Sequence, residues 1–433
     1  MDKNPKSILE NNPMNSWQWA AVLVTVGLNA LDGFDVLSIS FAAPGIASDW
    51  GIDRAGLGWI LSMELFGMGI GSIVLGPVAD KIGRRPTILF CLVAMTIGMA
   101  GAAYASGIQS LLFWRLITGL GIGGMLASIN AAAAEFSNLR WRGLAMGAMV
   151  IGYPIGGILG GLGVQHILGA GGWRDIFLFG AWATAAFIPL VWFLMPESPV
   201  FYDRRRAPGA LERINPILAR FGHQSASELS PLAETAEKTS IADIFKPGLV
   251  MVTVLVSMAY LAHITSFYYI IKWIPKIVVD MGFEARGAAT VLTWVNVGGA
   301  IGGAIFGYLA TRMALRPLTI VTLLLAAAMI AWFGRGSSDL QSLTVVVAVT
   351  GFFTNAGVVG MYSLFAKVFP THVRATGTGF AIGIGRAGAV LAPIAAGYLF
   401  QAGLSLQTVS LVMGSGALCG AVLLYFLKEK RAE

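Results

Sequence analysis

Gly76-Pro77-Val78-Ala79-Asp80-Lys81-Ile82-Gly83-Arg84-Arg85-Pro86 is a short charged cluster between two long apolar runs, and 231 residues further on the chain nearly repeats it as Gly307-Tyr308-Leu309-Ala310-Thr311-Arg312-Met313-Ala314-Leu315-Arg316-Pro317. A cluster that recurs at the same place relative to its flanking apolar blocks implies two halves built on one plan. Such internal symmetry is typical of secondary transporters, whose substrate site lies near the bilayer midplane between the repeats.

Working outward from the first copy, apolar blocks run over 17–40, 55–78, 87–106, 110–134, 143–165 and 175–195. Six more run over 247–271, 287–310, 317–334, 342–366, 375–400 and 406–427. Each is about 20 residues, the length that crosses a hydrocarbon core, and backbone groups there must be satisfied within the segment, so the blocks read as helices. Only 12% of residues are charged while 56% are apolar, a balance no water-soluble chain of this size needs. The 55 glycines agree, because small residues let membrane helices approach closely. The expected fold is an all-α integral membrane protein of twelve helices in two pseudo-symmetric six-helix bundles, 1–195 and 247–433. The polar stretch 196–246, with prolines at 199, 208, 216 and 231, reads as the loop between them.

Lys81, Arg84, Arg85, Arg140, Arg142, Arg312, Arg316, Lys367, Arg374, Lys428, Lys430 and Arg431 follow the even-numbered spans, and the alternate loops hold fewer basic residues. The richer side reads as cytoplasmic, which places both termini and the central loop on the cytoplasmic side of a bacterial-type inner membrane. The formal charge of +7 thus reads as topology signal and not as a nucleic-acid surface. Cys91 and Cys419 sit in apolar spans and read as packed thiols. The polar start, residues 1–16, lacks the pattern of a removable signal peptide. Four scattered histidines and two lone cysteines supply neither a metal cluster nor a nucleophile with its base, which argues against an enzyme. The central loop is too short and polar for the output domain of a sensor.

The first charged cluster resembles the signature loop between the second and third helices of the major facilitator superfamily. That resemblance implies that Asp80 and Arg84 are gating residues, latching helix two to helix eleven in the outward-open state; the second copy has Thr311 in place of the acid. Arg115-Leu116-Ile117-Thr118-Gly119-Leu120-Gly121 is similar to the fourth-helix motif that the superfamily associates with proton coupling, and Pro196-Glu197-Ser198-Pro199 to the motif ending its sixth helix. Leu31-Asp32-Gly33-Phe34-Asp35, with Ala43-Pro44 and Trp273-Ile274-Pro275, resembles the aromatic acid:proton symporter family, whose members import hydroxybenzoates and related carboxylates. Sugar, organic-cation and dicarboxylate carriers share the wider signature. Tyr153-Pro154 only loosely resembles the motif of proton-driven exporters.

An ionisable side chain at membrane depth costs about 2.5–3.5 kcal/mol on insertion scales, so each is a functional candidate. Asp32 and Asp35, three apart on one face of span one, Glu64 in span two and Arg115 in span four count to similar depths and form a proton-coupling group. One Arg neutralises one carboxylate well, so Asp35 is expected to pair with Arg115, and Asp32 or Glu64 to carry the proton. The alternative is a permanently paired packing network. Arg386, in Gly383-Ile384-Gly385-Arg386-Ala387-Gly388, counts to the midplane of span eleven. Its planar fork suits a substrate carboxylate; an acid across the bundle interface and backbone carbonyls are the alternative partners. Tyr268, Tyr269, His263, Asn296, Asn355, Phe352 and Asn130 are candidate substrate-binding residues, each also readable as packing.

These expectations combine into a monomeric proton-coupled symporter that imports a small organic acid, foremost an aromatic carboxylate of hydroxybenzoate type. It needs no cofactor besides the coupling proton, and its partners are the organic anion and the lipid bilayer. Carriage of non-aromatic or sugar acids, and drug efflux by antiport, are the rival readings.

Overall fold

The computed structural model describes residues 4–206, 208–231 and 240–427. Lys428, Lys430 and Arg431, read above as topology signals, lie outside the described residues. A short helix α1 (Pro5–Asn11) precedes six long ones: α2 (Ser16–Trp50), α3 (Arg54–Ile82), α4 (Arg84–Ala103), α5 (Ile108–Phe136), α6 (Arg142–Ala170) and α7 (Trp173–Leu194). Two short helices follow, α8 (Pro199–Arg205) and α9 (Ala210–Arg220). Six more long ones complete the chain: α10 (Val250–Asp280), α11 (Ala285–Ala310), α12 (Leu315–Phe333), α13 (Leu340–Val368), α14 (Arg374–Gln401) and α15 (Leu406–Tyr425). Twelve of these fifteen are long and apolar enough to cross a bilayer.

Several segments differ from the sequence reading. Span one, expected to end at residue 40, continues to Trp50 with Pro44 inside the helix. The stretch 196–246, read as loop, holds α8 and α9. Pro199 does not break structure there: it occupies the first turn of α8, where its missing N–H is not needed, and the Ser198 hydroxyl accepts from Val200 N–H. In α9, Ala210, Ile214 and Leu218 recur every fourth residue and are buried, which makes it an amphipathic surface helix.

The chain divides into two compact units. Unit 1 takes Met1–Asp35, Gly67–Gly156 and Phe177–Ala236; unit 2 takes Val36–Phe66, Gly157–Ile176 and Glu237–Glu433. The later part of α2 and the earlier part of α3 therefore pack with α10 to α15.

In unit 1, α2 and α6 meet through glycines on both helices. A Cβ on Gly156 would lie 1.6 Å from the Ala30 carbonyl oxygen, and one on Gly33 would lie 2.0 Å from that of Tyr153. No hydrophobic force draws helices together in lipid, so this backbone contact is what dispersion has to work with. Gly156→Leu is expected to force the pair apart at a cost of at least ~1–3 kcal/mol, read as a lower melting temperature in detergent. Gly147→Ala, at a position with open space around it, is expected not to lower the melting temperature.

Unit 2 uses the same device where α3 crosses α14: Cβ atoms on Gly58 and Gly397 would lie 2.6 Å from the carbonyl oxygens of Pro393 and Arg54. Pro393 interrupts the α14 hydrogen-bond ladder, and side-chain donors reach carbonyls beside it. Trp273 Nε1 donates to Pro393 O at 3.1 Å and Ser62 Oγ to Val390 O at 2.7 Å.

Candidate functional site

Buried ionisable residues occur in both units. In unit 1, Asp32, Asp35 and Arg115 are each at most 1% exposed. Arg115, on α5, donates through Nη2 to the backbone carbonyl of Asp35 at 3.1 Å, sets Nη1 3.1 Å from Met99 Sδ, and lays its guanidinium over the Phe177 ring at 5.3 Å. The Asp35 carboxylate points toward Gly180 of α7, whose absent Cβ would lie 3.4 Å from Oδ1. Asp32 lies within electrostatic reach of Cys91 on α4. The structure thus brings Asp35 and Arg115 together, the contact running through the backbone of the first-helix motif.

In unit 2, Glu64 on α3 is fully buried and stands 3.7 Å from the ammonium of Lys272, which is itself fully buried on α10. Lys272 Nζ also donates to the carbonyl of Val36, the residue next to Asp35. Sequence reasoning missed Lys272 because it closed span seven at Ile271, where Lys272, Pro275 and Lys276 look like the start of a loop. The helix instead runs through Pro275 to Asp280. The signal was spacing: Tyr268 and Lys272 are four apart and share a face.

Arg386 sits half-buried on α14, among glycines that carry the helix against α10. Cβ atoms on Gly385 and Gly388 would lie 2.2 Å from the Tyr260 ring and 2.7 Å from Leu261 O. Its charge reaches the hydroxyls of Tyr260 and Tyr268, and Tyr268 also feels the Glu64 carboxylate. Tyr268 thus lies in the field of both charges.

The other candidates divide by what they touch. Tyr269 is fully buried with its hydroxyl on Ser410 Oγ at 2.8 Å, an α10 to α15 tie. His263 is fully buried, hydrogen-bonds Thr354 O through Nε2 at 2.9 Å, and packs on Gly357 of α13. Asn355 donates to Gly299 O at 2.6 Å, joining α13 to α11. Asn296 donates to Leu292 O at 2.9 Å in its own helix, and its Oδ1 faces Gly157 of α6. Phe352 stacks edge-on with Phe353 at 5.0 Å, and Asn130, in unit 1, donates to Leu126 O at 2.7 Å.

The expected gating residues lie at one end of unit 1. Arg84 Nη1 meets Asp80 Oδ1 at 2.6 Å and Nη2 meets Glu135 Oε1 at 3.4 Å. Glu197, from the motif after α7, accepts the backbone N–H groups of Arg84 at 3.0 Å and Arg85 at 3.2 Å, and so caps α4 from 113 residues away. Burial pushes the Glu197 carboxyl up from its ordinary range, and the N–H groups of Ser198, Arg84 and Arg85 oppose that shift. Gly83 is obligatory beneath it: φ is 111°, and a Cβ would lie 2.1 Å from Glu197 Oε2. The loop and the sixth-helix motif are therefore one structure. Glu197→Ala is expected to cost ~1–2 kcal/mol, the range for lost N-caps, measured by thermal unfolding in detergent. A cleft of about 490 Å³ here, lined by Arg85, Trp192, Tyr202, Arg205 and Arg213 among others, includes none of the residues expected to bind substrate. Among the described residues no group of three or more His, Cys, Asp or Glu is placed to hold a metal ion.

Comparison with known proteins places this arrangement. The profile of the Major Facilitator Superfamily matches residues 25–333 and 259–433, and the chain belongs to that superfamily. It is therefore a multi-pass membrane transporter. It is 28% identical over 420 residues to a gallate transporter of Pseudomonas putida, covering 96% of this chain and 93% of that one. It is likewise 28% identical over 392 residues to the 4-hydroxybenzoate transporter PcaK of Acinetobacter baylyi, covering 89% and 85%. Among solved structures, a partially occluded inward-open conformation of the xylose transporter XylE from E. coli superposes with a TM-score of 0.74 at 17% identity, covering 97% of this chain and all of that one.

Proposed function

We propose that the chain is a proton-coupled symporter that imports a small aromatic carboxylate across a bacterial inner membrane, with both termini cytoplasmic and the monomer as the working unit. Residues 1–195 and 247–433 act as the two bundles that alternate access, with 196–246 connecting them. The observation that carries the reading is Arg386: a half-buried guanidinium on a glycine-thinned stretch of α14, with the Tyr260 and Tyr268 hydroxyls in electrostatic reach. A fork of N–H donors beside aromatic rings matches the two ends of a hydroxybenzoate, a bidentate carboxylate and a flat apolar ring. The named substrates of the relatives, gallate and 4-hydroxybenzoate, have that chemistry.

In this reading Asp32, Asp35, Glu64 and Arg115 handle the coupling proton. Arg386, Tyr268, Asn296, Phe352 and Asn130 contribute to substrate binding. Tyr269, His263 and Asn355, whose polar atoms tie helix to helix, hold the pocket's shape. Asp80 and Arg84 gate the end capped by Glu197. The test is uptake of radiolabelled 4-hydroxybenzoate and gallate into proteoliposomes under an inward proton gradient, with aliphatic and sugar acids as competitors. Accumulation blocked by aromatic acids supports the reading. Uptake indifferent to the proton gradient, or inhibited better by sugar acids, overturns it.

A further inference from the structure

The cleft of about 490 Å³ beside Glu197 has no part in the function proposed above, and a second of about 320 Å³ shares Arg85, Trp192, Glu197, Tyr202 and Arg213 with it. Both lie within unit 1, where α4 begins, α7 ends and α8 and α9 follow. Four guanidiniums line them, those of Arg85, Arg205, Arg213 and Arg220. Among the described residues none of the four forms an ion pair with a carboxylate. Arg85 and Arg220 each spend one N–H on the last carbonyls of α7, reaching Trp192 O at 2.7 Å and Phe193 O at 2.6 Å. Arg205 donates to Lys81 O. Arg213 makes no hydrogen bond among the described residues and stands over the Tyr202 ring at 5.8 Å. The one acid among the described lining residues, Glu197, is already engaged by the N–H groups of Arg84, Arg85 and Ser198.

We propose that these joined clefts bind the headgroup phosphate of an anionic phospholipid. The depth is right whichever way the chain faces, because α7 is a membrane span and Trp192 lies in its last turn. Trp192 and Phe193 are 57% and 68% exposed there, and indole rings favour the headgroup level of a bilayer. The arginine forks match phosphate oxygens two at a time, and cations at this level gain from anionic lipid. Ile82, Pro86 and Leu89 give the larger cleft an apolar wall for the start of an acyl chain, and exposed Phe90 continues that surface along α4. A free phosphate would satisfy the same guanidiniums but leave this wall and the indole uncovered, which is what favours a lipid. The bound headgroup would bridge the ends of α4 and α7 to α8 and α9, fastening the connector to its bundle. The inference is independent of which solute the protein carries.

The experiment follows the melting temperature of the full chain in a neutral detergent as phosphatidylglycerol replaces phosphatidylcholine in mixed micelles. A ligand that binds only the folded state raises that temperature. Phosphatidylglycerol should stabilise the unaltered protein and phosphatidylcholine should not; no difference between the two lipids overturns the proposal. Each cation near an anionic headgroup contributes a factor of about five in affinity. Arg213→Gln should therefore need about fivefold more phosphatidylglycerol for half the effect, and Arg205→Gln/Arg213→Gln about 30-fold more. Arg85 and Arg220 are left in place because they cap α7. The single variant removes no hydrogen bond or ion pair among the described residues, so it decides the matter even where the double variant is unstable. An unchanged requirement in Arg213→Gln overturns the proposal. Arg140→Gln/Arg312→Gln removes the same charge from exposed positions outside both clefts and should respond to phosphatidylglycerol as the unaltered protein does. An equal loss in that control means attraction to charge at large and overturns the site. Glycerol 3-phosphate, the soluble counterpart of the headgroup, should not stabilise at matched concentration. Stabilisation equal to the lipid's means that the clefts take a free phosphoester and overturns the lipid assignment.

Discussion

Arg386→Ala protein reconstituted in liposomes should take up no aromatic carboxylate above background. Removing one partner of a desolvated charge pair costs about 2–5 kcal/mol, so half-saturation should rise between ~30-fold and ~5,000-fold. Arg386→Lys should recover only part of this, because a point charge cannot offer the two parallel N–H groups a carboxylate accepts. The control is the melting temperature, which separates lost substrate anchoring from lost folding, since the contacts of α14 with α10 at Gly385 and Gly388 stay in place in the variant. Normal uptake by Arg386→Ala would remove the anchor from the proposed function.

Asp32→Asn should separate exchange from accumulation. Asp32 is 1% exposed on α2, four residues before Val36, whose carbonyl receives Lys272. An amide keeps the shape and cannot release a proton, so counterflow should continue while accumulation falls to the external concentration. At a gradient of about one pH unit that is a loss of about tenfold per proton. Parallel traces of labelled substrate and of a pH-sensitive dye inside the vesicles check it. Unchanged co-movement of protons would exclude Asp32 as a carrier and turn attention to Glu64.

The number of spans was legible because hydropathy depends only on composition over about twenty residues, and twelve blocks became twelve helices. The charged loop and its partial repeat were legible for the same reason. The facing of side chains was not. In a water-soluble helix polar and apolar faces separate, but lipid and protein interior are both apolar, so the helical period fades. Tyr268 and Tyr269 are neighbours of like chemistry, yet Tyr268 lies in the field of Glu64 and Arg386 while Tyr269 is tied to Ser410. Nothing in the sequence ranks one above the other. Lys272 was lost by a different route, since a lysine near a proline reads as a span's end until a buried acid on another helix is known to meet it. Glu197 was recognised as part of a motif, but its role as cap for α4 spans 113 residues and no local pattern encodes it.

The connector's anchoring also says where foreign sequence can be spliced in. Asn15 Nδ2 holds Arg220 O at 3.2 Å, Asp203 Oδ1 takes the Ser230 N–H at 2.9 Å, and Ser230 Oγ reaches Asn4 Oδ1 at 3.1 Å. Ser240 then starts afresh with its own capping box ahead of α10. A fluorescent domain inserted directly after Pro231 would follow every one of the first set of bonds and precede the second, so a reporter can ride on the carrier there without loosening either attachment.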